Sequence, residues 1–254
     1  MLPLRHIFKS MKNLVSFLVF AISLAACTPK SNPAAEQQLL QMLEKKDLFR
    51  LEAQLEGKKS ELSKGIVLYL EAFLQNAFDQ TELSLQTINA IIPKHVKSLN
   101  DTLMCDIYGL KYDNLHKQYR YREAAEALKH AMEKYGHTAD SVDFAGMQGA
   151  YSIVESLKNF PLQKMHNTTD VTIPIWRNPF DHVMLTVTSG GQSEDFVFDT
   201  GAMLSVVSES CAQKMSIRGF EASLGVGNSV GSEAQSKVGV ADNLQVGGLL
   251  LENN

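Results

Sequence analysis

Asp199-Thr200-Gly201, set between Phe196-Val197-Phe198 and Val206-Val207, is the stretch of this chain best suited to chemistry. Desolvating a carboxylate between two apolar strand segments is costly without partners, which points to a used charge. Gly201 carries no Cβ to hinder a sharp turn, so Asp199 would stand at the end of an apolar strand and face a cleft. A carboxylate placed there suits general acid–base work. The same triplet also makes an ordinary turn, because Asp and Gly are both favoured turn residues.

The elements around the triplet separate these readings. Strands are expected at 181–188 and 195–198, a short helical run at 208–215, a Gly-rich segment at 224–227 and a further run at 244–248. Phe198, then Asp199-Thr200-Gly201-Ala202, then Met203-Leu204 and Ser205 resembles the active-site segment of retropepsin-like aspartic proteases, and its surroundings resemble the bacterial lipoprotein branch of that family. The resemblance covers residues 170–254, about a third of the chain. It implies that Asp199 is the catalytic carboxylate. Two such groups about 3 Å apart share one proton. The ionised one takes a proton from the attacking water, and the protonated one hydrogen-bonds the scissile carbonyl oxygen. It further implies that Thr200 braces the paired motif, that Gly201 permits close approach, and that Ala202 and Ser205 complete the support. The chain holds one D-T-G, so the second carboxylate would come from a second copy in a symmetric homodimer. The substrate would be a peptide or protein, with no cofactor and no metal. Domains of this family close with an apolar-apolar-Gly segment and a helix. Here Leu249-Leu250-Leu251-Glu252-Asn253-Asn254 follows Gly248, so the expectation is a domain incomplete at its C-terminus, or one that has lost activity.

Residues 1–27 read as a secretory signal: Lys12, an apolar run from Leu14, then small residues before Cys27. Met11-Lys12-Asn13 would serve as a start by itself. Leu24-Ala25-Ala26-Cys27 resembles the bacterial lipobox, which implies lipidation at Cys27 and attachment to a membrane through the acyl chains. Thr28 rather than Asp follows Cys27, which favours the outer membrane of the cell envelope. Residues 28–34 would be a polar tether.

Residues 35–160 carry apolar stripes at helical spacing: Leu48, Leu51 and Leu55; Leu62, Ile66, Leu70 and Phe73; Leu103, Ile107 and Leu110; Ala124, Ala127, Leu128, Ala131 and Tyr135. Gly136 is expected to stop the fourth helix and Asp140 to cap the next. Residues 76–83 and 117–124 look related, about 41 apart, and Tyr121–Leu128 resembles the second helix of a tetratricopeptide repeat. This half would be either a groove for a partner or a spacer. Residues 161–169 would link it to the protease-like domain at 170–254.

The fold class expected is therefore α+β and multidomain: a helical repeat-like array followed by an all-β, retropepsin-like barrel. Cys105 and Cys211 read as buried free thiols or, less simply, as one disulfide. His166 and His182 flank the first expected strand without metal-ligand spacing. Gly225–Gly231 lacks the Lys of a phosphate loop and reads instead as a hairpin over the cleft. A net charge of −4 in 254 residues leaves no nucleic-acid footprint. The function expected is a membrane-anchored aspartic endopeptidase. The alternative is a non-catalytic lipoprotein that binds a partner through its helices.

Overall fold

The computed structural model describes residues 31–253 except 96, 167–168, 203 and 228–232, with backbone only at 221–227 and 233–236. The signal, Cys27 and most of the tether therefore lie outside the described residues. The chain divides into two compact units between Leu74 and Gln75.

The first unit holds α1 (Pro33–Glu44), α2 (Leu48–Lys58) and most of α3 (Lys64–Ala77). Asn32 caps α1 by accepting from the Ala35 N–H at 3.3 Å, and Pro33 follows at the position where a missing N–H costs nothing. Leu39, Leu51, Leu55 and Leu70 are buried in this unit.

In the second unit, α4 (Thr81–His95), α5 (Asp101–Lys117), α6 (Tyr121–Tyr135) and α7 (Ser141–Leu157) precede the strands. The stripe of α6 is buried at every position from Ala124 to Tyr135 that sequence spacing selected. Asp140 does cap α7, its Oδ1 accepting from the Val142 and Asp143 N–H groups at 2.8 and 2.9 Å. Gly136 ends the α-helix as expected, though not through a left-handed backbone. Its φ is −57°, and the chain continues as a 3-10 turn over Gly136–Thr138. A Cβ there would lie 2.7 Å from the Phe144 ring, so packing explains the glycine.

Three helix pairs turn in the same way. Lys46, Asp79 and Tyr119 sit at φ 56°, 58° and 60°. In each case that residue's N–H reaches the carbonyl three back, and the next N–H reaches five back from itself: Asp47 to Met42, Gln80 to Gln75, Arg120 to Leu115. This is the Schellman closure, usually built on glycine. The turns are 33 residues (46 to 79) and 40 residues (79 to 119) apart.

The strands of the described residues form an open six-stranded sheet and a separate hairpin, not a closed barrel. In the sheet, β3 (Val183–Ser189) pairs along one edge with β4 (Gln192–Val197). Its other edge takes β2 (Trp176–Arg177) at one end and β7 (Asn243–Val246) at the other. Beyond β7 come β8 (Leu249–Glu252) and β1 (Lys164–Met165). Residues 161–169, expected as a linker, thus contribute a strand, and His166 Nε2 lies 2.9 Å from a Glu252 carboxylate oxygen. The hairpin of β5 (Arg218–Gly227) and β6 (Glu233–Val240) incorporates Gly225–Gly227 as strand. Residues 228–231 of the expected hairpin tip lie outside the described residues.

The base of that hairpin packs on the helices. Leu157 of α7 is buried with Val238 and Val240, and Tyr121, Ile153, Phe160 and Phe220 close over them. Phe160 meets Phe220 edge-on at 4.7 Å.

Burial shifts the titration of a histidine in this unit. His116 lies between the rings of Tyr112 and Tyr121, and loss of solvent pulls its imidazole below the ordinary histidine value, against the opposing pull of Asp113. A folded value below the unfolded one, about 6.5, makes this contribution complete above that pH and lost as pH falls through the folded value. The free energy of unfolding should therefore decline between pH 7.5 and 5, and decline less steeply in His116→Gln, as urea unfolding at each pH would show.

Candidate functional site

The β3–β4 hairpin carries the D-T-G segment. Gly190 and Gly191, at φ 57° and 75°, make the two-residue turn between the paired Ser189 and Gln192. Gly190 is also held by its neighbourhood: a Cβ would lie 2.6 Å from Ser216 Oγ. Ser216 itself takes φ 56° at the end of α8 (Glu209–Lys214), a helix that Ser208 caps through the Cys211 N–H. Leu185 and Val187 of β3 then point into a core with the fully buried Met215, closed by Ile173, Phe196, Leu244 and Val246.

Asp199 follows β4 by two residues. The Phe198 N–H donates to the Val183 carbonyl at 2.8 Å, continuing the ladder one pair past the strand. Asp199 then turns: its Oδ1 accepts from the Gly201 N–H at 2.8 Å and its carbonyl from the Ala202 N–H at 3.3 Å. Gly201 is not in the left-handed region. What a side chain would meet there is the carboxylate, 3.3 Å from a Cβ. The acid is therefore oriented by its own turn.

Asp199 is exposed, and so are Thr200, Gly201, Ala202 and Ser205. The apolar run expected as a strand after the motif is not one: among the described residues no strand pairs with it, and residues 205–207 run without regular structure. Met203 lies outside the described residues. As a result Val197, Phe198, Leu204 and Val206 are 50%, 54%, 47% and 74% exposed around one acidic loop. Scattered exposed apolar residues are unremarkable, whereas four beside one carboxylate form a surface suited to contact.

Strand alternation sorts the neighbours of Asp199 by face. Met184 pairs with Val197 and Trp176 with Met184, so these three form a row across one face. His182 meets Asn178, whose Oδ1 accepts from the His182 N–H at 3.0 Å.

Of the other expected sites, Cys105 and Cys211 are each free and half-buried, with burial pushing the Cys105 thiol up. Among the described residues no three His, Cys, Asp or Glu side chains gather as a metal site. None of the described helices is long and apolar enough to cross a membrane.

Residues 185–254 match the sequence model of the family described as Aspartyl protease. Comparison with curated proteins and with solved structures finds no match. The matched segment begins inside β3 and takes in the D-T-G turn, α8, the hairpin and β7–β8. The helical half lies outside it.

The close fit of the turn to Ser216 makes a prediction. Gly190→Ala combines a positive φ with a clash, and should lower stability by about 1–3 kcal/mol. Thermal unfolding would measure it, and Gly191→Ala, with nothing within 4 Å of its Cβ, should cost less.

Proposed function

We propose that the protein is an aspartic endopeptidase that works as a homodimer, with Asp199 of each copy supplying half of the acid–base pair. The observation that carries this reading is the surroundings of Asp199: an exposed carboxylate, oriented by its own turn and ringed by Val197, Phe198, Leu204 and Val206. A single exposed carboxylate has no second acid with which to share a proton. A second copy docking its own apolar ring would bring one and would bury both loops from water, which strengthens the coupling between the acids. In the dimer, Thr200 would brace the paired turns and Gly201 would leave room for their approach. Ala202 and Ser205 would support the loop from behind, and water held between the carboxylates would attack the peptide carbonyl.

The same proposal places the enzyme on a membrane of the bacterial envelope through lipid at Cys27, the outer membrane being favoured because Thr28 follows. The helical half, on this reading a tetratricopeptide-like array, would then stand between the anchor and the catalytic end. Cys27→Ala should move the protein from the membrane to the soluble fraction on cell fractionation; continued membrane retention would contradict the anchor.

Asp199→Asn keeps the shape and the turn-forming oxygen but removes the acid. Cleavage of a peptide library should fall by about 10³-fold or more, with an unchanged melting temperature. Retained cleavage would overturn the reading. A wild-type protein that cleaves nothing yet captures peptides would favour the non-catalytic, partner-binding alternative.

A further inference from the structure

We infer that the first unit lies directly on the bilayer, seated on the phospholipid headgroups through the end where α1 and α3 begin. This inference rests on the lipid anchor proposed at Cys27. What carries it is the point at which the chain enters the fold, counted from that anchor.

Asn32 is that point. Its N–H donates to the Glu61 carbonyl at 2.7 Å, and its Nδ2 donates to the Glu61 carboxylate at 3.0 Å. Its Oδ1 caps α1, and its carbonyl accepts from the Glu36 N–H at 3.0 Å. Glu36 closes the same end by accepting from the Ser63 N–H at 2.7 Å, one residue before α3. The start of α1, the 3-10 turn Lys59–Glu61 and the start of α3 are thus tied together around Asn32. The tether expected over 28–34 therefore belongs to the fold from Asn32 onward.

Four residues, Thr28-Pro29-Lys30-Ser31, separate Cys27 from Asn32. Fully extended, such a stretch reaches about 18 Å from Cα to Cα. Acyl chains on Cys27 would begin beneath the polar layer, which is about 5–8 Å thick on each side of the hydrocarbon. What remains above that layer is at most about one helix diameter, roughly 10–12 Å. A unit tied in at Asn32 has no room to stand clear of the headgroups.

Pro33, Ala34, Ser60, Glu61 and Lys64 are exposed at this end. Charge does not drive the contact. Lys58 bonds Gln38 at 2.6 Å, while Lys59 pairs with Glu56 at 2.7 Å and with Glu71 at 3.1 Å. With Glu36 and Glu61 alongside, the end offers no basic cluster for anionic lipid. The short tether imposes the contact, which should therefore be indifferent to lipid charge.

The test uses the lipidated full chain, made with its own signal and reconstituted in phosphatidylcholine vesicles whose headgroups carry a nitroxide quencher. A fluorophore replaces Ser60 in one sample and Arg50 in another, Arg50 lying about 12 Å back along α2 from Lys58. Flotation and intact mass report attachment and lipid. The label at position 60 should be quenched several-fold more than the label at position 50, equally with and without phosphatidylglycerol. Inserting about 20 Gly/Ser residues after Thr28 adds about 25 Å of average reach and should remove most of that quenching while the protein still floats. A lipidated, floating protein with an unquenched label at position 60 overturns the inference and leaves the anchor standing. A protein that carries no lipid and does not float overturns both. Quenching that needs phosphatidylglycerol, or that survives the insertion unchanged, contradicts a contact imposed by the tether.

Discussion

The register of β3 is the constraint on which the placing of Asp199 depends. Leu185 and Val187 must face Met215, and that choice of face sends Met184, Trp176, Val197 and Asp199 to the other side. A slip of one residue would turn Asp199 toward the core and expose Leu185 and Val187, at a cost of about 1.5–3 kcal/mol for each core side chain lost. The Gly190-Gly191 turn prevents the slip from one end, and the Phe198–Val183 bond holds the other. Asp199 is thus placed by burial of residues that never touch it.

The helices share a core with the strands through the hairpin rather than through the sheet that carries Asp199. Leu157 packs against Val238 and Val240, while Phe160 stacks edge-on to Phe220 and places its ring under Arg218 at 5.9 Å. Arg218 in turn pairs with Asp242, and Lys237 with Glu209 of α8 at 3.3 Å. The base of β5–β6 is therefore fixed on one side by α7 and on the other by the helix that follows the acidic loop. This gives α7 a structural role within the second unit.

Much of this was legible in the residues. The α6 stripe, the Asp140 cap, the paired strands and the helix capped by Ser208 follow from period and turn chemistry. The helix-pair turns were less legible, because Lys46, Asp79 and Tyr119 take a backbone conformation that glycine usually signals, so the pair closed at Lys46 went unnoticed beside the two similar segments. β1 was hidden because two residues acquire strand identity only from a distant partner, Leu251-Glu252. The strand expected after the motif failed to form for a related reason. Val206 and Val207 have the composition of a strand, but strand formation needs a neighbouring ladder, and none pairs with them among the described residues. The barrel expected from resemblance gave way to an open sheet on the same ground.

The central claim is that one chain holds half of an acid pair and a second chain holds the other half. Specific peptidase activity measured against protein concentration, beside sedimentation velocity over the same range, tests it most directly. The account predicts that activity per chain vanishes where the protein is monomeric and rises in proportion to the dimer fraction. Constant activity per chain through the monomeric range would contradict it, because an isolated Asp199 would then be doing alone what the chemistry requires of two.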